Sequence, residues 1–363
     1  MSRLLRAVAL IALLAVVSAG FAVRAVRTKA PVVPDCTGAK SLDLACYVDR
    51  YAALTRHSGP RAALDDLTQR SSASGFVAAA CHQLTHVVGR TAGEVDGMAA
   101  FARGSDVCAS GYYHGITEAV MMRIGPERIL DRARSVCAEH ITPGSYSYPH
   151  YNCVHGMGHG FMAVYDSDVF KSLAGCDALS DPWEQHHCYG GVFMEQLSAM
   201  HHASRPSKSL RPDQPLYPCT AVERRYKAEC YMKQTAYALF VGNDDFGGVF
   251  ALCRDRADAD FREVCYQGLG GDAAIKASKF VIGDKAQADT LRNLCLQGPD
   301  QEARSNCVAG AVTTIVRDLA GEDAPARALC AALDDVEMTA VCNATLVDAN
   351  RGVPPPEGVL RHH

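Results

Sequence analysis

Apolar and polar positions divide the chain into a short apolar N-terminal run and a long region of helical character. From about Leu42 onward the pattern reads as helices broken by Gly and Pro, the residues that interrupt helices most strongly. Alternating apolar and polar runs bounded by turns, which would indicate strands, are missing. The pattern therefore predicts an all-α fold.

A short phrase recurs along the helical region and marks an internal repeat. In this phrase a cysteine is followed by Val or Tyr, and Gly stands three positions after the cysteine. The phrase begins at Cys153, Cys188, Cys265 and Cys307. The unit that contains the phrase repeats at about 34 to 43 residues, within the range of helical-hairpin repeats. Gly inside a helix costs about 1 kcal/mol relative to Ala, so its recurrence suggests close helix–helix approach. We expect stacked helical hairpins, as an open solenoid or a closed α/α toroid.

The 16 cysteines are even in number and regular in spacing. Neighbour pairing gives Cys36–Cys46, Cys81–Cys108, Cys137–Cys153, Cys176–Cys188, Cys219–Cys230, Cys253–Cys265, Cys295–Cys307 and Cys330–Cys342. The C-x2-C and C-x4-C spacings of common zinc sites do not occur, so disulfides are the better interpretation. One disulfide per hairpin resembles cysteine-rich members of the tetratricopeptide-like repeat class. No motif of that class matches, so the resemblance implies no functional residue.

The N-terminus and the cysteines both indicate export. Arg3 and Arg6 precede an apolar run over residues 7–23, which is the order found in secretory signals. The run is at the lower edge of bilayer-spanning length, so residues 1–26 are either a signal peptide or a signal anchor. Disulfides persist in oxidising compartments. We expect a periplasmic or cell-surface protein, secreted or held at the membrane by its uncleaved N-terminal segment.

Proline-rich stretches divide the rest of the chain. Residues 27–41 read as a linker, and four prolines in residues 203–218 would interrupt any helix. We expect a His- and Glu-rich helical half over 42–202, an exposed loop over 203–218, a Cys-paired scaffold half over 219–350 and a flexible tail over 351–363. The net charge of −4 provides no basic surface, so nucleic acid is not an expected partner.

Histidines are concentrated in the first half. Eleven of the 14 lie between His82 and His202, and residues 203–361 contain none although the repeat continues. The C-terminal repeats therefore act as an internal control, because the scaffold forms there without histidine. The first half needs these side chains for a purpose of its own.

Several of these histidines stand one helical turn from another histidine or a glutamate. His82 and His86, His114 and Glu118, and His155 and His159 are four residues apart, so each pair shares one helix face. A further glutamate, Glu195, follows Cys188 at about the same place in its repeat as His159 does after Cys153. Imidazole and carboxylate together suit zinc, iron or copper. We therefore predict a transition-metal site with ligands drawn from His82, His86, His114, Glu118, His155, His159 and Glu195.

The main alternative to a metal site is a polar cavity for a small organic ligand, in which the same histidines form hydrogen bonds. Other histidines are less suited to a site on sequence grounds. We expect His186 and His187 to be exposed to solvent, and His140 and His150 to be peripheral.

Three functions fit this pattern. A metalloenzyme, either a hydrolase or an oxidoreductase, would use Glu118 or Glu195 as general base beside the metal. A metal carrier would use the same ligands without turnover. A non-catalytic repeat module at the cell envelope would bind a peptide or protein partner, with the histidines incidental or responsive to pH.

Overall fold

The computed structural model describes residues 32–141, 146–198, 207, 209–280, 284–319 and 323–350. The predicted signal segment, residues 1–26, and the predicted tail, residues 351–363, lie outside the described residues. Among the described helices, none is both long enough and apolar enough to cross a membrane.

The described residues form fourteen α-helices and no strand, which confirms the all-α prediction. The helices are α1 (Leu44–Ala73), α2 (Gly75–Asp96), α3 (Gly111–Ile124), α4 (Ile129–Val136), α5 (Tyr148–Val164), α6 (Val169–Cys176), α7 (Pro182–Ser198), α8 (Arg224–Val241), α9 (Phe246–Arg256), α10 (Arg262–Phe280), α11 (Asp284–Cys295), α12 (Gln301–Thr314), α13 (Ala324–Ala331) and α14 (Val336–Asn350). Short 3₁₀ segments join several of them, and Ile315–Leu319 is a π-helical turn after α12.

Short polar side chains set where several helices begin. Ser74, Ser147 and Asp300 each accept a hydrogen bond from a backbone N–H of the first turn, at the start of α2, α5 and α12 respectively. Helix α1 contains a kink where Gly59 has a φ of 85° and Pro60 follows. The kink arises because proline cannot donate an intrahelical hydrogen bond.

Nine helices pack in the order in which they occur in the chain. Contacts join α1 to α2, α2 to α3, α3 to α5, α5 to α7, α7 to α8, α8 to α10, α10 to α12 and α12 to α14. The other five helices precede members of this row, and α6, for example, contacts both α5 and α7. We call the nine helices the row helices. The choice between a solenoid and a toroid stays a prediction.

Eight disulfides link the described cysteines, and all eight predicted pairs form. Their Cα–Cα distances lie between 5.4 and 5.8 Å, the spacing that a disulfide requires. No cysteine is free. In five repeats the first cysteine lies at the end of a helix outside the row, and the second lies in the next row helix. The disulfide therefore closes each hairpin at its turn.

The recurrent glycines lie where neighbouring row helices touch. A Cβ on Gly191 of α7 would overlap the backbone carbonyl of His155 on α5. A Cβ on Gly310 of α12 would likewise overlap the carbonyl of Gln267 on α10. Both contacts confirm the close helix approach predicted from the repeated glycine.

The described part of the proline-rich segment, residues 207 and 209–218, is less exposed than we predicted. Leu216 has only 3% of its surface exposed, and Ser209 is buried as well. The amide of Gln234 on α8 donates to the carbonyl oxygens of Pro215 and Tyr217, both at 2.9 Å. Because α8 satisfies these backbone groups, the segment can pack against the helix.

Candidate metal centre

The seven predicted ligands lie on four consecutive row helices. Helix α2 carries His82 and His86, α3 carries His114 and Glu118, α5 carries His155 and His159, and α7 carries Glu195. We call these seven residues the His/Glu cluster. Since α2, α3, α5 and α7 contact one another in sequence, the one-turn pairs on neighbouring helices can face each other.

Glycines next to the ligands let these helices approach closely. Gly115 follows His114, and a Cβ on it would overlap the backbone carbonyl of His86 on α2. Gly156 follows His155, and a Cβ on it would lie 3.2 Å from the Cα of His114. The phrase His-Gly therefore serves two purposes, because the histidine projects inward while the glycine admits the neighbouring backbone.

The five imidazole rings form one contiguous group around His114. Its ring centre lies 5.6 Å from that of His82, 5.4 Å from His86, 4.8 Å from His155 and 4.9 Å from His159. His86 and His159 also touch, with ring centres 4.9 Å apart. The separate helix pairs thus converge on one interior space, as the sequence pattern predicted.

Three overlapping sets within the cluster could hold a metal ion. They are His82 with His86 and His114; His114 with His155 and His159; and His86 with His159 and Glu195. In each set the candidate ligand atoms lie within 4.8 Å of one another. Six of the seven predicted ligands are therefore brought together in sets that could hold a metal ion, and Glu118 belongs to none of them.

Hydrogen bonds leave a lone pair of His82 pointing toward His86. The Nδ1 of His82 donates to the carbonyl oxygen of Cys108 at 2.8 Å, so the neutral ring carries its lone pair on Nε2. This Nε2 lies 3.1 Å from the Nε2 of His86. Two nitrogens bound at about 2.0–2.1 Å to one tetrahedral ion would be about 3.3 Å apart. The two rings are spaced like neighbouring ligands of a single ion.

A direct imidazole–imidazole hydrogen bond is the alternative for this pair, with His86 Nε2 as the donor. It would leave the unprotonated Nδ1 of His86 facing the Oε2 of Glu118 at 3.7 Å. Where Glu118 is ionised, a proton on His86 Nδ1 is the better arrangement, and the lone pair of His86 is then on Nε2. In that arrangement a metal ion between the two Nε2 atoms would satisfy both lone pairs.

Several buried imidazole nitrogens in the cluster have no hydrogen-bond partner among the described residues. Both ring nitrogens of His114 are in this state, as are Nε2 of His155 and Nε2 of His159. These three side chains are between 1% and 3% exposed. Buried polar atoms are nearly always paired, because an unpaired one costs on the order of 1–3 kcal/mol. Bound metal ions would satisfy these atoms, so the residues fit the group that the sequence implies.

The electrostatics of the cluster favour neutral imidazole. Burial lowers the pKa of His86, His114 and His155 well below the ordinary value, and the adjacent imidazoles lower it further. Neutral imidazole is the form that binds metal. In Glu195, burial would raise the pKa, but the hydrogen bond from His159 Nδ1 at 2.8 Å and the positive charge of Arg90 act against burial. The pKa of Glu195 is therefore lowered, and its carboxylate holds His159 with Nε2 turned toward the other rings.

Glu118 stands between the cluster and a cavity of about 470 Å³. Burial raises the pKa of Glu118, and the charge of Arg90 opposes that rise; Arg90 Nη1 donates to Glu118 Oε1 at 2.8 Å. The cavity is lined by Arg90, Glu94, Glu118, Ala119, Met122, Arg123 and Ala163, with none of the described histidines in its wall. Glu118 is the residue of the cluster that a molecule in this cavity would meet first.

The predictions for three other histidines were wrong. His186, expected at the surface, is 3% exposed and lies 2.8 Å from a carboxylate oxygen of Glu229 on α8. Its neighbour His187 is also withdrawn from solvent, and burial, reinforced by His186, lowers its pKa to about 3. His150, expected to be peripheral, is 3% exposed and its Nε2 lies 2.8 Å from Glu184 on α7. The errors for His186 and His150 arose because the partner of each lies on another helix.

Two further groups at the centre were not predicted. Arg90 could have been found, because it lies one turn after His86 on the same helix face. The carbonyl of Cys108 that orients His82 could not, because a backbone oxygen has no signature in the sequence.

Comparisons with known proteins add no assignment. The chain matches no protein-family model, no curated protein and no solved structure.

Proposed function

We propose that this is an exported metalloprotein in which the His/Glu cluster binds transition-metal ions. The observation that carries the proposal concerns His114, His155 and His159, which together have four buried ring nitrogens without a hydrogen-bond partner among the described residues. All three belong to sets able to hold an ion. The eight disulfides support folding in an oxidising compartment outside the cytoplasm.

The donor set favours zinc, copper or iron. Imidazole suits all three metals, whereas calcium and magnesium prefer oxygen ligands. Thiolate is excluded as a donor because every cysteine is in a disulfide. Five imidazoles with one or two carboxylates therefore define a nitrogen-rich site, whose ligands are softer than oxygen alone and harder than thiolate.

We further propose that the centre is catalytic and acts on a small molecule in the adjacent cavity. A bound ion would supply Lewis-acid chemistry or, if it is copper or iron, electron transfer. Glu118 lines the cavity, where its carboxyl group can take up and return a proton. Arg90 holds one oxygen of Glu118 and also lines the cavity, where its remaining donors can bind an anionic group of the substrate.

Metal analysis tests the first proposal. The protein is purified from an oxidising compartment, and its metals are measured by mass spectrometry before and after reconstitution with zinc, copper or iron. We expect at least one ion per wild-type chain and a large loss in His155→Ala/His159→Ala. His57→Ala is the matched control, because His57 is exposed and lies outside the cluster. A wild-type protein that remains metal-free after reconstitution would contradict the proposal.

Binding of a small anion separates catalysis from metal storage. Azide is added to the copper-loaded protein, and new charge-transfer absorption is measured. A catalytic centre keeps a coordination position open, so we expect saturable azide binding that weakens in Arg90→Met. A metal-loaded protein that binds no azide at any concentration is a carrier with a closed site, and the catalytic proposal would then be wrong.

A further inference from the structure

His114 differs from the other described histidines in having both ring nitrogens buried without a hydrogen-bond partner. Its side chain is 3% exposed, so bulk water does not reach either nitrogen. In contrast, Nδ1 of His82 is oriented by the Cys108 carbonyl, and Nδ1 of His159 by the Glu195 carboxylate. A histidine that binds one metal ion nearly always donates its second ring N–H to such a partner. His114 lacks that partner, although it is at the centre of the cluster.

The position of His114 explains why it lacks one. Helix α3 packs against α2 and also against α5, and His114 is the residue shared by the first two metal-binding sets. One set adds His82 and His86 from α2, and the other adds His155 and His159 from α5. Each set contains three histidines, and His114 is the one histidine that belongs to both. If His114 can serve both sets, each becomes a complete three-histidine site.

We propose that the centre is dinuclear and that His114 bridges two metal ions through its two ring nitrogens. This inference rests on the proposed metal-binding function. One ion is bound by His82, His86 and one nitrogen of His114; the other is bound by the second nitrogen of His114 with His155 and His159. His86 and His159 are themselves in contact, with ring centres 4.9 Å apart, so the two sites are adjacent.

The proton balance of the bridge follows from imidazole chemistry. A neutral ring has one N–H and one lone pair, so it can bind one ion without further change. When the second ion binds, the remaining N–H proton leaves His114 for solvent, and the ring becomes an imidazolate anion. The two cations compensate the buried negative charge. With metal–nitrogen distances of about 2.0–2.1 Å on each side, the ions would be about 6 Å apart.

Copper(II) is the probe, because an imidazolate bridge couples the unpaired electrons of two copper ions. The metal-free protein is loaded with copper(II), total copper is measured by mass spectrometry, and electron paramagnetic resonance spectra are integrated at low temperature. We expect two coppers per chain, with a spectrum that integrates to clearly fewer than two spins and shows a half-field transition.

Three variants separate the bridge from the ligands. In His114→Ala we expect uncoupled copper that accounts for the full spin count, and added free imidazole should restore coupling by filling the space of the missing ring. His82→Ala should lower copper binding at one site only, and His57→Ala should resemble wild type. Circular dichroism and a free-thiol assay establish that each variant is folded.

Each other outcome is informative. Two wild-type coppers with the full two-spin signal would overturn the bridge, as would a single copper per chain with water on the second nitrogen of His114. Both results leave metal binding itself intact. A wild-type chain that binds no copper, zinc or iron would overturn the metal-binding function as well.

Discussion

Hydrogen bonds to neighbouring groups orient some of the side chains in the cluster. His159 is one of them, since the Glu195 carboxylate accepts its Nδ1 proton and thereby points Nε2 at the other rings. Ser198 in turn donates to the carbonyl and a carboxylate oxygen of Glu195, so the orientation is supported from the same helix. The affinity of the site therefore depends on residues beyond the imidazoles.

Removal of this support should weaken metal binding. In Glu195→Ala we expect metal affinity to fall about 10- to 100-fold, the usual cost of losing a group that orients a histidine ligand. Competition with a chromogenic chelator gives the affinity. Glu139→Ala, at an exposed glutamate, is the control. Equal affinities for Glu195→Ala and wild type would show that Glu195 has no part in the site.

A second residue-level test concerns Asp272 on α10, far along the chain from the cluster. Its Oδ2 is buried and unpaired among the described residues, and burial raises its pKa to about 7, against the opposing effects of Thr235 and Lys233. The ordinary value is near 3.8. Between about pH 4 and 7 the folded state binds more protons than the unfolded state, so this group's contribution to stability is lost as pH rises.

Asp272→Asn should therefore be more stable than wild type above pH 7 and nearly equal to it below pH 4. We expect a gain of about 1–3 kcal/mol at pH 8, the cost of a buried unpaired polar group. Urea denaturation at both pH values measures it, with Asp213→Asn at an exposed position as control. A gain of the same size at both pH values would mean that ionisation of Asp272 does not affect folding.

What the sequence could predict at this scale was limited to spacing within one helix. The pairs His82/His86, His114/Glu118 and His155/His159 were recognisable because an α-helix brings residues four apart to one face. The pairs His186–Glu229 and His150–Glu184 were missed because their members lie on different helices, 43 and 34 residues apart along the chain. Such pairs depend on the register of neighbouring helices, which spacing alone does not provide.

At the scale of the helices, close packing coincides with the His/Glu cluster in the first half of the chain and occurs without it in the second. Gly191 lies against the carbonyl of His155, so the α5–α7 contact also sets the distance from His159 to Glu195. Gly310 makes the equivalent contact with Gln267, where the neighbouring helices contain no histidine.

The two glycines form a matched pair for mutation. We expect Gly191→Ala and Gly310→Ala each to destabilise the protein by about 1–3 kcal/mol, as overpacking does. Only Gly191→Ala should also reduce metal affinity. Thermal denaturation and chelator competition on both variants measure the two effects. If both variants lost affinity equally, the site would depend on overall stability rather than on the α5–α7 spacing.

A disulfide also contributes to the geometry of the site. Cys81–Cys108 holds the turn before α3, in which Cys108, Ala109 and Ser110 all have positive φ, and this turn presents the Cys108 carbonyl to His82. Positive φ disfavours side-chain-bearing residues, so the turn depends on its surroundings.

Cys81→Ser/Cys108→Ser should therefore weaken metal binding as well as folding. The matched control is Cys330→Ser/Cys342→Ser, which opens the disulfide between α13 and α14. We expect both double variants to lose roughly 3 kcal/mol of stability, the cost of a disulfide that closes a loop of this order, and only the first to lose affinity. Unchanged affinity in the first would exclude the Cys108 carbonyl from the site.

At the scale of the whole molecule, the described chain is a row of helices, each packed on its neighbours in sequence and closed by local disulfides. The helical class and all eight pairings followed from the sequence because both are local properties: helix breakers mark the ends, and most bridged cysteines are 10 to 16 residues apart. The cavity beside Glu118 did not follow, because it is formed by side chains from three helices.

In the proposed centre, imidazoles from different helices bind the same metal ion. X-ray absorption at the edge of the bound metal tests this most directly, in wild type and in His155→Ala/His159→Ala. We expect imidazole scattering from at least three histidine nitrogens at about 2.0 Å in wild type, and a reduced imidazole contribution in the variant. A shell of oxygen atoms without imidazole scattering, or identical spectra for the two proteins, would contradict the account.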